Sequence, residues 1–572
     1  LLSSDDRPLI VQADGTILLE TRHRLYSTGR QALAAFAELE KSPEYVHTYR
    51  VTPVSLWNAA AGGLSSPQLL ETLESLSRYP LPMNIRRDIS DYMARYGRLR
   101  LVKIGDRLML ESADAALLTE ICQHRTAGQY VMEPAGPQAV TINPRFRGHF
   151  KQAVTRLGFP IQDLAGYVEG ERLELDLLER CRSGPLALRD YQQEAVETFH
   201  AGGGLAGGSG VIVLPCGAGK TVVALGIMQR TRCHTLIICT HANAVTQWRE
   251  ELLDKTNLQP DHIGEYTGRS KNLRPVTLAT YQILTHRPHK TGEFTHFGLF
   301  ERGAWGLIVY DEVHLVPAPV FRLTAELQAR RRLGLTATLV REDGREVDVF
   351  SLIGPRRYAV PWKTIEERGW IAHATCWELR VPFPEELRLE HASAGGHDRY
   401  RMVAENPRKL PVVERLVRGH LPAGDRVLVI GQYLDQLRQL AARLKAPLVT
   451  GETPANERDR LYAAFRSGEL RVLVASRVAN YSLDLPEASV AIQVSGIFGS
   501  RQEEAQRLGR VLRPKADGRP AAFYTLVTED SVDQDYAHQR QQFLTEQGYT
   551  YRIVESAGTT GFPIPEEADL GE

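Results

Sequence analysis

The chain has 572 residues, with 69 Lys plus Arg balanced by 69 Asp plus Glu, 43% hydrophobic residues and 24% charged residues. That length exceeds what one hydrophobic core organises, so three or four domains are expected, and no apolar run is long enough to span a bilayer. Neutral overall charge offers no long-range attraction to polyphosphate, so nucleic-acid contacts must use local patches; the excess of Arg over Lys suits bidentate phosphate contacts, but a GC-rich genome is the readier cause.

The start, Leu1-Leu2-Ser3-Ser4-Asp5-Asp6, lacks an initiator Met and the basic-then-apolar pattern of a signal peptide, which reads as a trimmed start with no export. Up to about Arg182 the text suggests one or two accessory domains. Leu69 to Leu73 is helix-like, and Leu99 to Ile104 followed by Arg107 to Leu110 reads as a hairpin. Six cysteines (Cys122, Cys181, Cys216, Cys233, Cys239, Cys376) form no C-x-x-C pair, which disfavours a zinc ribbon, an iron–sulfur cluster or a disulfide framework. The glycine-rich stretch Ala201 to Gly210 reads as a flexible loop.

From Gly210 to Val527 short β-branched runs alternate with amphipathic stretches, the pattern of parallel strands joined by crossover helices. The first set is Val211–Leu214, Thr235–Cys239, Val276–Ala279, Leu307–Tyr310 and Leu333–Leu335. Leu214-Pro215-Cys216-Gly217-Ala218-Gly219-Lys220-Thr221 joins the first run to a helical stretch, the setting of a phosphate-binding loop, although Leu214 stands where the strict pattern wants Gly. Backbone N–H groups around Gly217, Ala218 and Gly219 can cradle phosphates, Lys220 can neutralise β/γ oxygens and the Thr221 hydroxyl can ligate magnesium. After the fourth run come Asp311-Glu312-Val313-His314, two carboxylates at a strand's carboxyl end, where ligands of such sheets bind. Asp311 suits a water-mediated magnesium contact and Glu312 the polarisation of an attacking water. The bland alternative is an acidic helix cap.

Pro384 to Leu416 breaks the strand rhythm with a polar, Arg-rich stretch, read either as a small helical insertion or as a surface linker. A second set of runs follows: Val427–Ile430, Leu448–Val449, Val472–Ala475, Val490–Val494 and Phe523–Val527. Between the last two, Gln506, Arg510 and Arg513 stand at i, i+4 and i+7, one face of a helix. If two lobes close on ATP, Arg510 and Arg513 can reach the γ-phosphate as fingers; ordinary lacing with Glu503 and Glu504 is the alternative. The acidic tail after Ser556 reads as disordered.

At these residues the sequence resembles superfamily 2 helicases, and within them the XPB family: the translocase subunit of transcription factor IIH and its archaeal and bacterial relatives. Asp311 to His314 resembles the DExH box, Leu186 to Gln192 with Arg189 and Gln192 the adenine-reading glutamine motif, and Thr336-Ala337-Thr338 the motif coupling hydrolysis to motion. Arg341-Glu342-Asp343 resembles the XPB-specific RED motif, and Gln506 to Arg513 the arginine-finger motif. Asn406-Pro407-Arg408-Lys409 is similar to the edge of the XPB thumb, Gln539 to Val554 to the family's last helix and strand, and His47 to Pro53 to the amino-terminal domain of bacterial members. Val478 to Pro486 departs from the eukaryotic pattern at Ala479 and Asn480, with Asp484 still matching a coupling position.

The resemblance implies an α/β fold: two tandem RecA-like domains with amino-terminal α+β accessory domains and a small helical thumb insertion. The expected layout is an accessory domain over 1–130, a small damage-recognition-like domain over 131–182, RecA-like domain 1 over 183–378, RecA-like domain 2 over 379–555 with the thumb at about 384–416, and a disordered tail over 556–572. It further implies an ATP- and Mg2+-dependent DNA 3′–5′ helicase or translocase in DNA repair. DNA, single-stranded or forked, is the expected partner, with a nuclease or repair proteins beside it, no membrane, and a cytoplasmic, nucleoid-associated location. Thr240, Gln247 and Thr450 are strand-contact candidates from family motifs, or else helix caps and surface polar groups; Arg341, Glu342 and Asp343 join them as DNA-contact candidates. His314 is expected to bridge to Gln506, or else to hydrogen-bond inside its own lobe. An RNA helicase, a translocase that leaves duplex unopened, and a nucleotide-gated DNA-binding scaffold remain competing readings.

Overall fold

The computed structural model describes residues 6–41, 45–182, 184–204, 207–215, 217–287, 295–296, 299–316, 320, 324–325, 327, 330–337, 346–360, 362–370, 373–476, 488–496, 521–546, 549 and 551–555. The chain divides into two compact units: residues 1–38, 45–214 and 219–360, and residues 361–572 with the short segments 39–44 and 215–218.

The first unit holds a seven-stranded sheet in the order Ile263–Tyr266, Val276–Thr280, Thr235–Cys239, Leu307–Tyr310, Arg331–Thr336, Ser209–Val213 and Arg356–Ala359. Every pairing among the described residues of this sheet is parallel. The central runs are apolar along their whole length because helices cover both faces; Leu236, Ile238, Ile308 and Tyr310 are fully buried on one side of this core. The second unit repeats the plan, with the order Leu448–Val449, Val472–Ala475, Val427–Ile430, Val490–Gln493, Ala521–Thr528, Ala374–Val381 and Tyr551–Glu555, again all parallel. Two RecA-like sheets in tandem are therefore present as the strand rhythm implied.

Each sheet also has strands that the apolar runs did not announce. Arg356–Ala359 and Ile263–Tyr266 are edge strands with half-exposed residues, and Ala374–Val381 carries Glu378 and Arg380 within its span. Edge position removes the need for a continuous apolar run. Glu378 is tolerated at full burial because Arg380 Nε lies 2.9 Å and Gln541 Nε2 2.8 Å from its carboxylate.

Three expected boundaries need correction. The division at 130/131 cuts a single five-stranded sheet, Val131–Pro134, Ala139–Ile142, Arg107–Glu111, Leu99–Ile104 and Ile161–Asp163, whose one core runs from Leu99 to Ala165. The natural break lies just before Leu99: upstream, Leu9–Val11, Thr16–Glu20 and Val46–Arg50 pair antiparallel beside helices Pro53–Ala61, Ser66–Leu76 and Met83–Arg95. The division at 182/183 separates residues that belong together, since Arg172 and Leu177 form bridges to Cys233 and Thr256 of the first RecA-like lobe. The division at 378/379 splits strand Ala374–Val381, which lies wholly in the second sheet.

Residues 384–416 are helical rather than a surface linker: Arg388–Ser393 and Gly396–Ala404 precede Lys409–His420. The last of these buries Leu410, Val413 and Leu416 in the second lobe's own core. The glycine-rich stretch is a loop only in part, because Ser209 and Gly210 already belong to a strand. The tail 556–572 lies outside the described residues.

Candidate nucleotide site

The phosphate loop begins where strand Ser209–Val213 ends, and its backbone is shaped by glycine. Gly217 has φ +81° and Gly219 φ +79°, the left-handed region that other residues enter at a cost of roughly 1–2 kcal/mol. Ala218 N–H donates to Pro215 O at 3.2 Å, closing the turn. Helix Lys220–Thr231 starts directly after Gly219, so its unpaired N–H groups and positive dipole end open onto the loop. A Cβ on Gly219 would lie 2.5 Å from Gln192 Nε2. The glutamine motif and the phosphate loop, 27 positions apart, are thus neighbours, and Gln192 accepts from the Arg189 backbone N–H at 3.0 Å. The Arg189 side chain donates to the Tyr191 hydroxyl at 3.0 Å.

Lys220 Nζ lies 3.1 Å from Glu312 Oε1. This pairing brings the phosphate-loop lysine to the DExH box across 92 positions. Asp311 ends strand Leu307–Tyr310, and its N–H donates to Ile238 O at 3.0 Å. Trp248 Nε1–H donates to Asp311 Oδ2 at 3.0 Å and the Tyr281 hydroxyl donates to Asp311 O at 2.9 Å. Neither Trp248 nor Tyr281 was singled out from sequence; both are 30 or more positions away, and no spacing pattern marks them.

Burial, then the Glu312 charge, pushes the Asp311 carboxyl up to about 6, with Trp248 pulling the other way. For Glu312 burial also works upward, but Lys220 and His314 more than offset it and the carboxyl is lowered. Glu312 has φ +48°, in the left-handed region. Its Oε2 is buried without a hydrogen-bond partner among the described residues.

His314 is 4% exposed and its Nδ1 lies 2.6 Å from the Thr336 hydroxyl and 3.4 Å from Glu312 Oε2. The histidine hydrogen-bonds inside its own lobe, while Gln506, its other expected partner, lies outside the described residues. The Ala337 backbone N–H faces the Glu312 carboxylate and helps to lower it. Thr336 and Ala337 of the coupling motif thus touch both the acid and the histidine of the box.

Thr221 is half-buried on the first turn of its helix. Thr240 and Thr450 each follow a strand, after Thr235–Cys239 and Leu448–Val449, and Gln247 is exposed on helix Ala242–Lys255. The Thr450 hydroxyl accepts from the Glu452 N–H at 3.2 Å, a turn-capping role. Thr338, Arg341, Glu342, Asp343, Asp484, Gln506, Arg510 and Arg513 lie outside the described residues. Among the described residues no group of three or more His, Cys, Asp or Glu side chains is placed to hold a metal ion, and no helix is long and apolar enough to cross a membrane.

A phosphate loop, a pair of carboxylates at the carboxyl end of the strand two places along the same sheet, and a second all-parallel lobe define a tandem RecA-like motor of the helicase class. Family models agree: the ERCC3/RAD25/XPB C-terminal helicase matches residues 365–562, the res subunit of type III restriction enzymes residues 185–341, and a helicase conserved C-terminal domain residues 9–134. The chain is 55% identical over 557 residues to the DNA 3′-5′ helicase XPB of Kineococcus radiotolerans, covering 97% of this chain and 98% of that one. Its identity to the protein of the same name from Mycobacterium tuberculosis is 51%, covering 97% and 99%. The general transcription and DNA repair factor IIH helicase/translocase subunit XPB of Antonospora locustae is 34% identical, covering 96% and 81%. The chain belongs to the XPB helicase family.

Proposed function

We infer that this chain is an ATP-dependent DNA 3′–5′ helicase that acts in DNA repair. The observation that carries the reading is the Lys220–Glu312 contact at 3.1 Å, which joins a glycine-shaped phosphate loop to the acid best placed to polarise water. Lys220 is drawn to entering phosphates, and its departure leaves the Glu312 carboxylate to accept from water. The Glu312 Oε2, buried with no hydrogen bond among the described residues and 3.4 Å from His314 Nδ1, is the atom such a water would meet.

The residues also fit a magnesium ion: the Thr221 hydroxyl and the Asp311 carboxylate, ionised above about pH 6, are hard oxygen donors beside the loop. Bound there with ATP, the ion would neutralise charge on the phosphates. Family resemblance supplies Arg510 and Arg513 as fingers from the second lobe, Gln506 beside them, Asp484 and Thr338 as coupling residues, and Arg341, Glu342 and Asp343 at the duplex junction. DNA grip is assigned to Thr240 and Thr450, each just beyond a strand's carboxyl end, and to Gln247, exposed on helix Ala242–Lys255.

The test is strand displacement on forked DNA bearing either a 3′ or a 5′ tail, alongside ATP turnover with single-stranded DNA, duplex DNA and RNA. Lys220→Ala should abolish turnover, and Arg341→Ala should spare turnover while weakening displacement. Turnover stimulated by RNA alone, or displacement at the wild-type rate in both variants, overturns the reading.

A further inference from the structure

We propose that the first unit contains a second anion site, distinct from the phosphate loop, which takes one phosphate group at the junction of the accessory domains and the first RecA-like lobe. The junction encloses a cavity of about 180 Å³, several times the ~30 Å³ share of one water molecule. Three parts of the unit line it: Tyr96 from the segment after helix Met83–Arg95, Lys151 and Asp163 from the five-stranded domain, and Ser209 and Arg357 from the lobe.

The charge around this cavity is one-sided. Asp163 is the single carboxylate, held by Arg147 Nε at 3.0 Å and Lys151 Nζ at 2.9 Å. The three side chains are 9%, 7% and 6% exposed respectively. Against that one negative charge stand four cations: Arg147, Lys151, Arg357 and Arg332, the last 1% exposed and close enough to act electrostatically on Lys151. Tyr167 lies under Arg332, whose guanidinium carbon is 5.7 Å from the ring centre. The neighbouring Glu169 is spent on Arg331, 3.3 Å away at the surface. Burial together with Arg332 and Arg147 drags the Lys151 ammonium down to about 8, even with Asp163 beside it.

An excess of buried positive charge costs free energy that a bound anion offsets. Phosphate suits the donors: an ammonium, a guanidinium fork and the hydroxyls of Tyr96 and Tyr167 around one enclosed space, while the Ser209 hydroxyl donates to Ile353 O and accepts from Arg332. The lobe makes room for this arginine deliberately. Gly210 has φ +151°, and a Cβ there would sit 2.4 Å from Arg357 Cγ, so the last glycine of the glycine-rich stretch lets Arg357 lie along the strand and donate from Nε to Ser209 O at 2.9 Å.

The experiment titrates inorganic phosphate into the full chain by calorimetry at constant ionic strength, with chloride as control. Lys220→Ala removes the phosphate loop's contribution, Lys151→Met and Arg357→Gln address the proposed site. Saturable binding that persists in Lys220→Ala and weakens at least tenfold in Arg357→Gln supports the site; Lys151→Met should behave alike where it folds, and Arg357→Gln, half-exposed, decides the matter where it does not. Heat no different from chloride, binding lost in Lys220→Ala, or affinity unchanged in Arg357→Gln overturns it. A second arm adds duplex DNA to the Lys220→Ala protein: competition with phosphate identifies the group as a DNA backbone phosphate, and independence identifies a free phosphate compound.

Discussion

Replacing Trp248 by Phe should move the acid limb of ATP turnover to higher pH. The indole N–H donates to Asp311 Oδ2 at 3.0 Å, and Phe keeps most of the buried ring while deleting that donor. A hydrogen bond to a charged acceptor is worth about 1.5 kcal/mol, at the low end for such bonds, and one pH unit corresponds to about 1.36 kcal/mol. The bond favours the ionised carboxylate, so its loss raises a group that already titrates at about 6 by roughly one unit. Activity that needs ionised Asp311 is lost as pH falls, so kcat/KM at pH 6.5 should drop by about threefold while the alkaline plateau holds. For stability the sign is opposite: the folded-state value lies above the ordinary carboxyl value, the native state holds the proton longer, and stability declines as pH rises from about 4 to about 6. DNA-stimulated ATPase profiles from pH 5 to 8.5 read the shift. A limb that stays in place, or moves to lower pH, in a variant with unchanged circular dichroism would refute the claim that Trp248 holds Asp311 in its charged form.

Other substitutions probe separate links. Gly219→Ala must place a Cβ 2.5 Å from Gln192 Nε2 on a backbone at φ +79°, and should weaken binding of a fluorescent ATP analogue by about tenfold, in line with roughly 1–2 kcal/mol of strain. In the second unit Lys409→Met strands the fully buried Asp533, now 2.8 Å from the ammonium; a loss of about 3–5 kcal/mol is expected, seen as a Tm drop on the order of 10 °C in calorimetry. Asp348→Ala removes the acceptor for Gln152 Nε2 at 2.6 Å and Arg156 at 2.8 Å, which tie helix Arg147–Arg156 to helix Glu346–Leu352; hydrogen exchange in the former should quicken about tenfold.

The parts of the fold legible in the sequence were those where one physical cause acts alone. Thr235–Cys239, Leu307–Tyr310, Val427–Ile430 and Val472–Ala475 lie in sheet interiors, both faces are dry, and their bounds match the apolar runs residue for residue. Strand Ala374–Val381 carries charges compensated by partners at sequence distances of up to 175 positions, which no local window contains. The boundary at 130/131 failed for a related reason: Val131–Pro134 is mostly exposed and carries little apolar signal, yet its pairing with Ala139–Ile142 joins it to the hairpin core. In the site, loop and carboxylates were readable because chemistry restricts residue type and spacing. Trp248 and Tyr281 were not, because any donor of suitable reach could serve and only the fold selects which one arrives.

Adjacent carboxylates usually share one fate, since each raises the other. Asp311 and Glu312 are driven apart instead, and the cause is local backbone. With φ at +48°, Glu312 leaves the strand direction and turns its side chain toward Lys220 and His314, while Asp311 keeps the strand's course and meets Trp248. A left-handed glutamate costs roughly 1–2 kcal/mol, offset by a cation at 3.1 Å and the Ala337 amide. Two acids of opposite tendency suit one to a metal and the other to a water. The same Glu312 and His314 border Thr336 and Ala337, which sets the box against the end of strand Arg331–Thr336.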